Sequence, residues 1–250
     1  MTSAKSPRHW IWIRGLARHS GHWAFFEDAF REKFPDDIVE MLDVRGNGNQ
    51  AHAPSFLTVA ENVRDLRARS QILKQGPVHL LTISLGSMIG IKWAELYPED
   101  VASLTVMNTS DGKNSLPHQR LRFGNLKNLL TIVADYKDPV AVELKIMEMI
   151  AQNVSAKEEL ARKFAETPPT KVSNITRQLV AASMFRLPKT APHLPVLILG
   201  SKGDRFVNPI CSQRIADAWG TSVHWHDKAG HDIPLEDPNW VSDELEHFLS

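Results

Sequence analysis

The sequence predicts an α/β protein: a doubly wound, mainly parallel sheet of about six strands, interrupted by a helical lid. Two observations carry this. Short runs that are apolar on both faces alternate with longer segments of helical periodicity, as expected for strands buried between two layers of helices. The alternation lapses from about residue 112 to residue 190 and then resumes. A core of residues 1–111 and 191–250 with a lid of residues 112–190 follows from that break.

The elements can be justified in chain order. Residues 9–14 (HWIWIR) read as a buried strand that leaves into the polar loop 15–21. Residues 22–34 carry Trp23, Phe26, Phe30 and Phe34 near helical spacing, which makes an amphipathic helix. Residues 38–44 form the next strand and end in the turn Asp43-Val44-Arg45-Gly46-Asn47-Gly48. Residues 59–74 are helical, with Val63, Leu66 and the Ile72-Leu73 pair on the apolar side. Residues 78–82 are a strand that turns sharply through Ser84-Leu85-Gly86 into a helix marked by Met88, Ile89, Trp93 and Leu96. Residues 101–107 are a further buried strand. The lid has no convincing strand and reads as helices 117–136, 139–153, 156–166 and 173–185. Its apolar run 126–133, Met147 and Met149 are read as packing. Beyond Pro188, Pro192 and Pro195 come strand 196–201, helix 209–219, strand 222–226 and a closing helix 236–249. Right-handed crossovers gather the carboxyl ends of these strands along one edge, where ligands bind.

Composition narrows the functional classes. Lys and Arg total 29 and so do Asp and Glu, so no overall charge favours nucleic acid or a membrane surface. The single cysteine, Cys211, excludes an internal disulfide and a cysteine-based zinc site. The polar start MTSAKSPRH lacks the apolar stretch of a signal peptide, and the run 78–94 is broken by polar residues. A cytoplasmic location is expected.

Chemistry concentrates at three loops. Ser84 stands at a strand-to-helix turn, where the helix supplies free N–H groups and a positive dipole end. The turn reads Thr82-Ile83-Ser84-Leu85-Gly86, with threonine in place of the first glycine of the usual G-x-S-x-G. A serine hydroxyl needs a base, and the base needs an acid to orient it. Asp204 follows strand 196–201, and His231 follows strand 222–226.

The order Ser84, Asp204, His231 resembles the α/β-hydrolase family, and five segments carry the resemblance across nearly the whole chain. Arg14-Gly15-Leu16 is similar to the family's oxyanion-hole motif, with arginine where the family has histidine, and Trp23 stands where a tryptophan is common. Asp43 to Gly48 resembles the D-x-x-G-x-G turn, and residues 82–86 the nucleophile turn. Gly203 to Val207 resembles the acid loop, and Ala229-Gly230-His231 with Glu236-Asp237-Pro238 the histidine loop. The resemblance implies a serine esterase of the carboxylesterase type, cleaving a carboxylic ester or thioester through an acyl-enzyme. It implies Ser84, Asp204 and His231 as catalytic, and the backbone N–H groups of Leu16 and Leu85 as oxyanion hole. It calls for no cofactor and no metal. Only eight residues precede His9, so the family's N-terminal antiparallel hairpin is expected to be missing.

Other readings stand beside these. Asp111 follows strand 101–107, where some relatives place the acid. Asp232 reads as a solvated or loop-ordering residue, and His224 with His226 as ordinary strand packing rather than metal ligands. His19 and Trp23 are expected to contact substrate at the mouth of the site. A non-catalytic, small-molecule-binding member of the fold is the alternative to an enzyme. The lid holds thirteen basic against seven acidic residues, a net +6. That imbalance suggests an acidic acyl carrier protein as a partner, like the carrier-bound acyl esters cleaved by pimeloyl-carrier methyl ester esterases.

Overall fold

Strand β1 (His9–Ile13) shows how the sheet is clad. Its side chains alternate across the sheet, as period-two geometry requires. Trp10 and Trp12 enter one apolar layer, and Ile11 and Ile13 the other. The computed structural model describes residues 6–122, 124, 125, 128 and 137–250. Its other strands are β2 (Ile38–Met41), β3 (Val78–Ile83), β4 (Val101–Met107), β5 (Val196–Ser201) and β6 (Val223–His226). All neighbours pair in parallel, in the order β2-β1-β3-β4-β5-β6. The six-stranded, doubly wound sheet is therefore the one the sequence predicts.

One face carries helices α2 (Val59–Arg69), α3 (Leu85–Leu96) and, placed beyond β5, Ile210–Trp219; Val63, Leu66, Ile89, Trp93 and Ile215 pack against the sheet. The other carries α1 (Phe25–Lys33) and the closing helix Pro238–Leu249, through Phe26, Phe30, Val241 and Leu245. Between β4 and β5 the described residues form helices only: α4 (Pro117–Arg120), α5 (Pro139–Ile150), α6 (Lys157–Phe164) and α7 (Val172–Met184). A third apolar cluster joins Met147, Met149, Ile150, Leu160 and Phe164 of this segment to Phe206, Val207 and Leu235 of the core. The helical segment is thus fastened over the carboxyl edge of the sheet. Helix Ile210–Trp219 is α8, Ile233–Glu236 is α9 and Pro238–Leu249 is α10.

Several boundaries differ from the expectation, each for a local reason. The helix expected over 22–34 is a 3-10 turn, Ser20–Trp23, followed by α1, because Ala24 at φ 42° interrupts it. The helix expected over 236–249 breaks at Asp237. Pro238 cannot donate to a continuing helix, and the Asp237 carboxylate accepts from Trp240 N at 3.0 Å as a new cap. The helix expected over 117–136 is described only as α4. The run 126–133 lies, apart from Asn128, outside the described residues. Among the described residues no helix is long and apolar enough to cross a membrane.

Packing at the β3–α3 turn explains how threonine replaces a glycine. Thr82 is fully buried, and its hydroxyl donates to Thr105 O at 2.6 Å. Its methyl group occupies space that another glycine concedes: a Cβ on Gly90 of α3 would lie 2.8 Å from Thr82 Cγ2. The side chain that Gly90 lacks leaves the room that the Thr82 methyl fills, so α3 lies against β3 without a glycine at position 82. Gly90→Ala should therefore destabilise the protein by about 1–3 kcal/mol through overpacking. In a Thr82→Ala background the same change should cost clearly less. Urea denaturation of the four proteins measures this coupling; strictly additive effects would show that the two residues do not share the space.

Candidate active site

Ser84 holds φ 58° and ψ −118°, a conformation that L residues rarely adopt. Its N–H donates to Met107 O at 2.9 Å, and its carbonyl accepts from Thr109 Oγ1 at 2.7 Å, so both flanks of the turn are pinned to the end of β4. Gly86 lets α3 start against β1: a Cβ there would fall 2.3 Å from Ile13 O. Leu85 opens α3, where N–H groups have no partner within the helix. The N–H of Leu16, across the turn, meets no protein acceptor among the described residues. Gly15 gives the Ser84 side chain room: a Cβ there would sit 3.0 Å from Ser84 Cβ and 3.4 Å from its Oγ.

His231 and Asp204 lie on the loops that leave β6 and β5. His231 Nδ1 is 2.7 Å from Asp204 Oδ2, and both side chains are buried. The second Asp204 oxygen accepts from Phe206 N at 2.8 Å and Val207 N at 2.9 Å, which fixes the carboxylate. Since the carboxylate accepts, Nδ1 carries a proton, and in the neutral imidazole Nε2 is then the basic nitrogen. The structure makes no hydrogen bond between Ser84 and His231, although both line one cavity. Such contacts are commonly long before substrate binds. Asp111 is also buried, but its carboxylate is taken by Lys113 N at 2.7 Å and by Asn114 N and Nδ2 at 3.1 Å each. It orders its own turn and does not face His231.

Two buried ion pairs flank these residues. Arg14 grips Asp232 with both terminal nitrogens, and its guanidinium lies 4.8 Å over the Trp23 ring. Asp232 is therefore not solvated, as one sequence reading had it; it is 2% exposed and ties the histidine loop to the end of β1. Burial alone would raise the Asp232 carboxyl, but Arg14 outweighs it and holds the group below its usual range. Arg18 Nη1 contacts both Glu143 of α5 and, at 2.8 Å, His22 Nε2. An arginine only donates, so Nε2 accepts from it, while Nδ1 lies 3.1 Å from His19 N and 3.2 Å from His19 O. Burial, then the charge of Arg18, lower His22 to about 3. Burial would raise Glu143, yet Arg18 overrides it and brings the carboxyl to about 2.

The remaining residues sort as follows. The Ser84 cavity is walled by Arg14, Arg18, His231 and Asp232 and by apolar side chains such as Leu16, Ile146, Met149 and Phe206; its space is about 620 Å³ counting its opening. Trp23 does not reach it: at 1% exposure it packs against Trp12 and Phe26 beneath Arg14, so direct substrate contact is closed to it. His19 stacks on His22 and lines a neighbouring cavity with Glu143 and Thr170. His224 and His226 face separate carboxylates, Glu244 at 2.5 Å and Asp237 at 3.2 Å. Among the described residues no three His, Cys, Asp or Glu side chains gather to hold a metal ion. Four arginines of the basic helical segment donate to carbonyls: Arg120 to Ala182 and Ser183, Arg122 to Asp204, Arg177 to Ser55, and Arg186 to Ser183, with Arg122 and Arg186 still exposed.

Comparison with known proteins agrees with the fold. The model of the Alpha/beta hydrolase family matches residues 10–244. No curated protein matches the chain. Among solved structures, a putative non-heme bromoperoxidase, BpoC, from Mycobacterium tuberculosis H37Rv is 22% identical, with a TM-score of 0.74 over 97% of this chain and 91% of that one. A thermophilic esterase from Thermogutta terrifontis is 17% identical, with a TM-score of 0.74 over 98% and 90%. The 2-hydroxy-6-oxo-6-phenylhexa-2,4-dienoate hydrolase of Rhodococcus sp. strain RHA1 is 16% identical, with a TM-score of 0.72 over 97% and 90%. At these identities the likeness is one of fold.

The buried histidine gives the site a pH signature. Unfolded, His22 takes up a proton near 6.5; folded, it resists until about 3. Between those values the unfolded state binds more protons, so stability present above pH 6.5 is lost as pH falls toward 3. At pH 4.5 the loss from His22 should be on the order of 2 kcal/mol. Glu143 acts in a lower window: its contribution is complete above its usual 4.5 and is lost as pH falls through about 2. His22→Gln keeps an acceptor for Arg18 without a titrating group. Urea midpoints at pH 7 and 4.5 should therefore separate less in His22→Gln than in the unaltered protein. An equal separation would show that His22 is not held neutral.

Proposed function

Given that the chain belongs to the alpha/beta hydrolase family, we propose that it is a serine hydrolase that cleaves a carboxylic ester through an acyl-enzyme, with Ser84 as nucleophile. The observation that carries the proposal is the 2.7 Å contact of His231 Nδ1 with Asp204, opposite a Ser84 held at φ 58° on the wall of the same cavity. The esterase among the structures of like fold supports an ester as the bond cleaved.

In this mechanism Ser84 Oγ attacks the ester carbonyl as His231 Nε2 takes its proton. Asp204 holds the imidazole in the tautomer that leaves Nε2 unprotonated, and stabilises the imidazolium that forms. The carbonyl oxygen becomes an oxyanion, met by the N–H groups of Leu16 and Leu85; one such donor is worth about 2.7–4 kcal/mol. Collapse expels the alcohol, which receives the proton from His231. Water, activated by the same base, then hydrolyses the acyl-enzyme and returns Ser84. Cavity residues are otherwise mostly apolar, which suits a small organic acyl group. An acidic carrier protein as acyl donor is a separate proposal, motivated by the net +6 of residues 112–190; the arginines there that bond to carbonyls keep their charge.

The test is steady-state hydrolysis of a panel of short-chain esters. Ser84→Ala should abolish turnover, with circular dichroism and melting unchanged. Asp204→Asn should lower kcat by roughly 10⁴, since the imidazole is then held in the wrong tautomer. Asp111→Asn should cost activity mildly if at all. Full activity in Ser84→Ala would sink the proposal, and the opposite ranking of the two aspartates would move the acid to Asp111. A cavity that binds esters in the unaltered protein without turning any over would mark a binding protein instead.

A further inference from the structure

Arg18 is only partly used by the protein. It stands on the loop after β1, 5% exposed, on the wall of the Ser84 cavity. Nη1 is committed to Glu143 and His22, while Nε and Nη2 are buried without any partner. Among the described residues it is the only arginine with two buried nitrogens unpaired. Leaving donors of a charged group unsatisfied inside a protein is costly, so the vacancy asks for an acceptor.

The geometry of the unused edge says which acceptor. Nε and Nη2 lie on the same side of the guanidinium and form the fork that grips a carboxylate with two parallel hydrogen bonds. Elsewhere in this chain the same edge does this: Arg67 holds Asp100 through Nε at 2.6 Å and Nη2 at 3.2 Å. Arg31 turns the same two nitrogens on Glu27, both to its Oε1. At Arg18 no protein carboxylate is left to fill the fork. Glu143 sits on Nη1, and Asp232, the carboxylate of the Ser84 cavity wall, is committed to Arg14. Arg14 Nε is a third unpaired donor on that wall. Apart from Ser84 and His231, which the reaction uses, the cavity's remaining side chains, including Leu16, Ile146, Met149 and Ile175, offer no acceptor.

We propose that Arg18 determines the specificity of this site: its free edge binds a carboxylate carried by the substrate in addition to the ester that Ser84 attacks. The substrate class is then the half-ester of a short dicarboxylic acid, or an ester whose alcohol part bears a carboxylate. Both nitrogens are covered by the wall, so seating the carboxylate needs a wall side chain to turn aside. Met149, with its unbranched, freely rotating side chain, is the one best suited to do so. The buried partner Glu143 keeps the Arg18 head fixed while this happens, so the fork meets the ligand without losing its position. A trapped water is the competing occupant of those nitrogens.

This inference rests on the hydrolase reading for its catalytic readout but not for its binding readout. The experiment compares kcat/KM for monomethyl glutarate against methyl pentanoate, and for acetoxyacetate against propyl acetate. The carboxylated ester of at least one pair should be preferred tenfold or more. Arg18→Lys keeps a positive charge for Glu143 but removes the fork, and should bring that ratio to near parity; its melting temperature reports whether it folds. If none of the four esters is cleaved, the hydrolase reading fails, and the Arg18 proposal is judged on binding alone. Glutarate or monomethyl glutarate should then raise the melting temperature of Ser84→Ala, and adding Arg18→Lys should remove the shift. Parity of both pairs in the unaltered protein, or no carboxylate-dependent shift where nothing is cleaved, would overturn the proposal and leave water as the occupant. A preference that survives in folded Arg18→Lys would overturn it as well.

Discussion

The site depends on keeping Ser84 in a backbone conformation that costs on the order of 1–3 kcal/mol. At φ 58° the residue projects from the turn between β3 and α3, and relaxation to an ordinary conformation would swing its hydroxyl away from the cavity. The surroundings forbid that. Ser84 is hydrogen-bonded on both sides to the end of β4, and Gly86 packs against the carbonyls of Ile13 and Arg14. The apolar strands β1, β3 and β4 and the helix α3 supply the stability that offsets the strain. Sheet packing therefore sets the position of one oxygen atom.

Around this turn the loops are joined by charge rather than by apolar contact. Arg14 and Asp232, 218 positions apart, connect the loop carrying Leu16 to the loop carrying His231. Arg18 and Glu143 connect the same first loop to α5 of the helical segment. Buried ion pairs add little net stability, because desolvation cancels most of the attraction, but breaking one leaves an uncompensated charge. They thus oppose displacement strongly while contributing little to folding. Arginine in place of the family's histidine at position 14 is consistent with this: it reaches a carboxylate on the far loop and still covers Trp23.

How far the sequence could be read follows from the range of the interactions involved. Strands are legible because burial on both faces is a local pattern, and residues 101–107 and 196–201 were read to their ends. Ser84, Asp204 and His231 are legible because each follows a strand, and strand ends meet at one edge of a parallel sheet. Trp23 was misplaced at the mouth because helical spacing does not show which side of the loop faces the core. The Arg14–Asp232 and Arg18–Glu143 pairs left no trace in spacing, since each joins residues more than a hundred positions apart. Arg18 could have been noticed only as a charge close to Arg14 in an otherwise polar loop. The same limit applies to the basic helical segment: its net +6 over residues 112–190 is legible in the sequence, but which of its arginines also bond to carbonyls, as Arg120 and Arg177 do, is not.

The most direct measurement of the central claim is covalent labelling with an organophosphate such as paraoxon, followed by intact-mass and peptide mass spectrometry. A strained serine served by the His231–Asp204 pair should lose its proton as phosphorus is attacked and the nitrophenolate leaves. The account predicts one diethylphosphoryl group, located on Ser84, with labelling slowed by orders of magnitude in His231→Ala. A folded protein that takes up no label, or carries it on another residue while esters are still cleaved, would contradict the account.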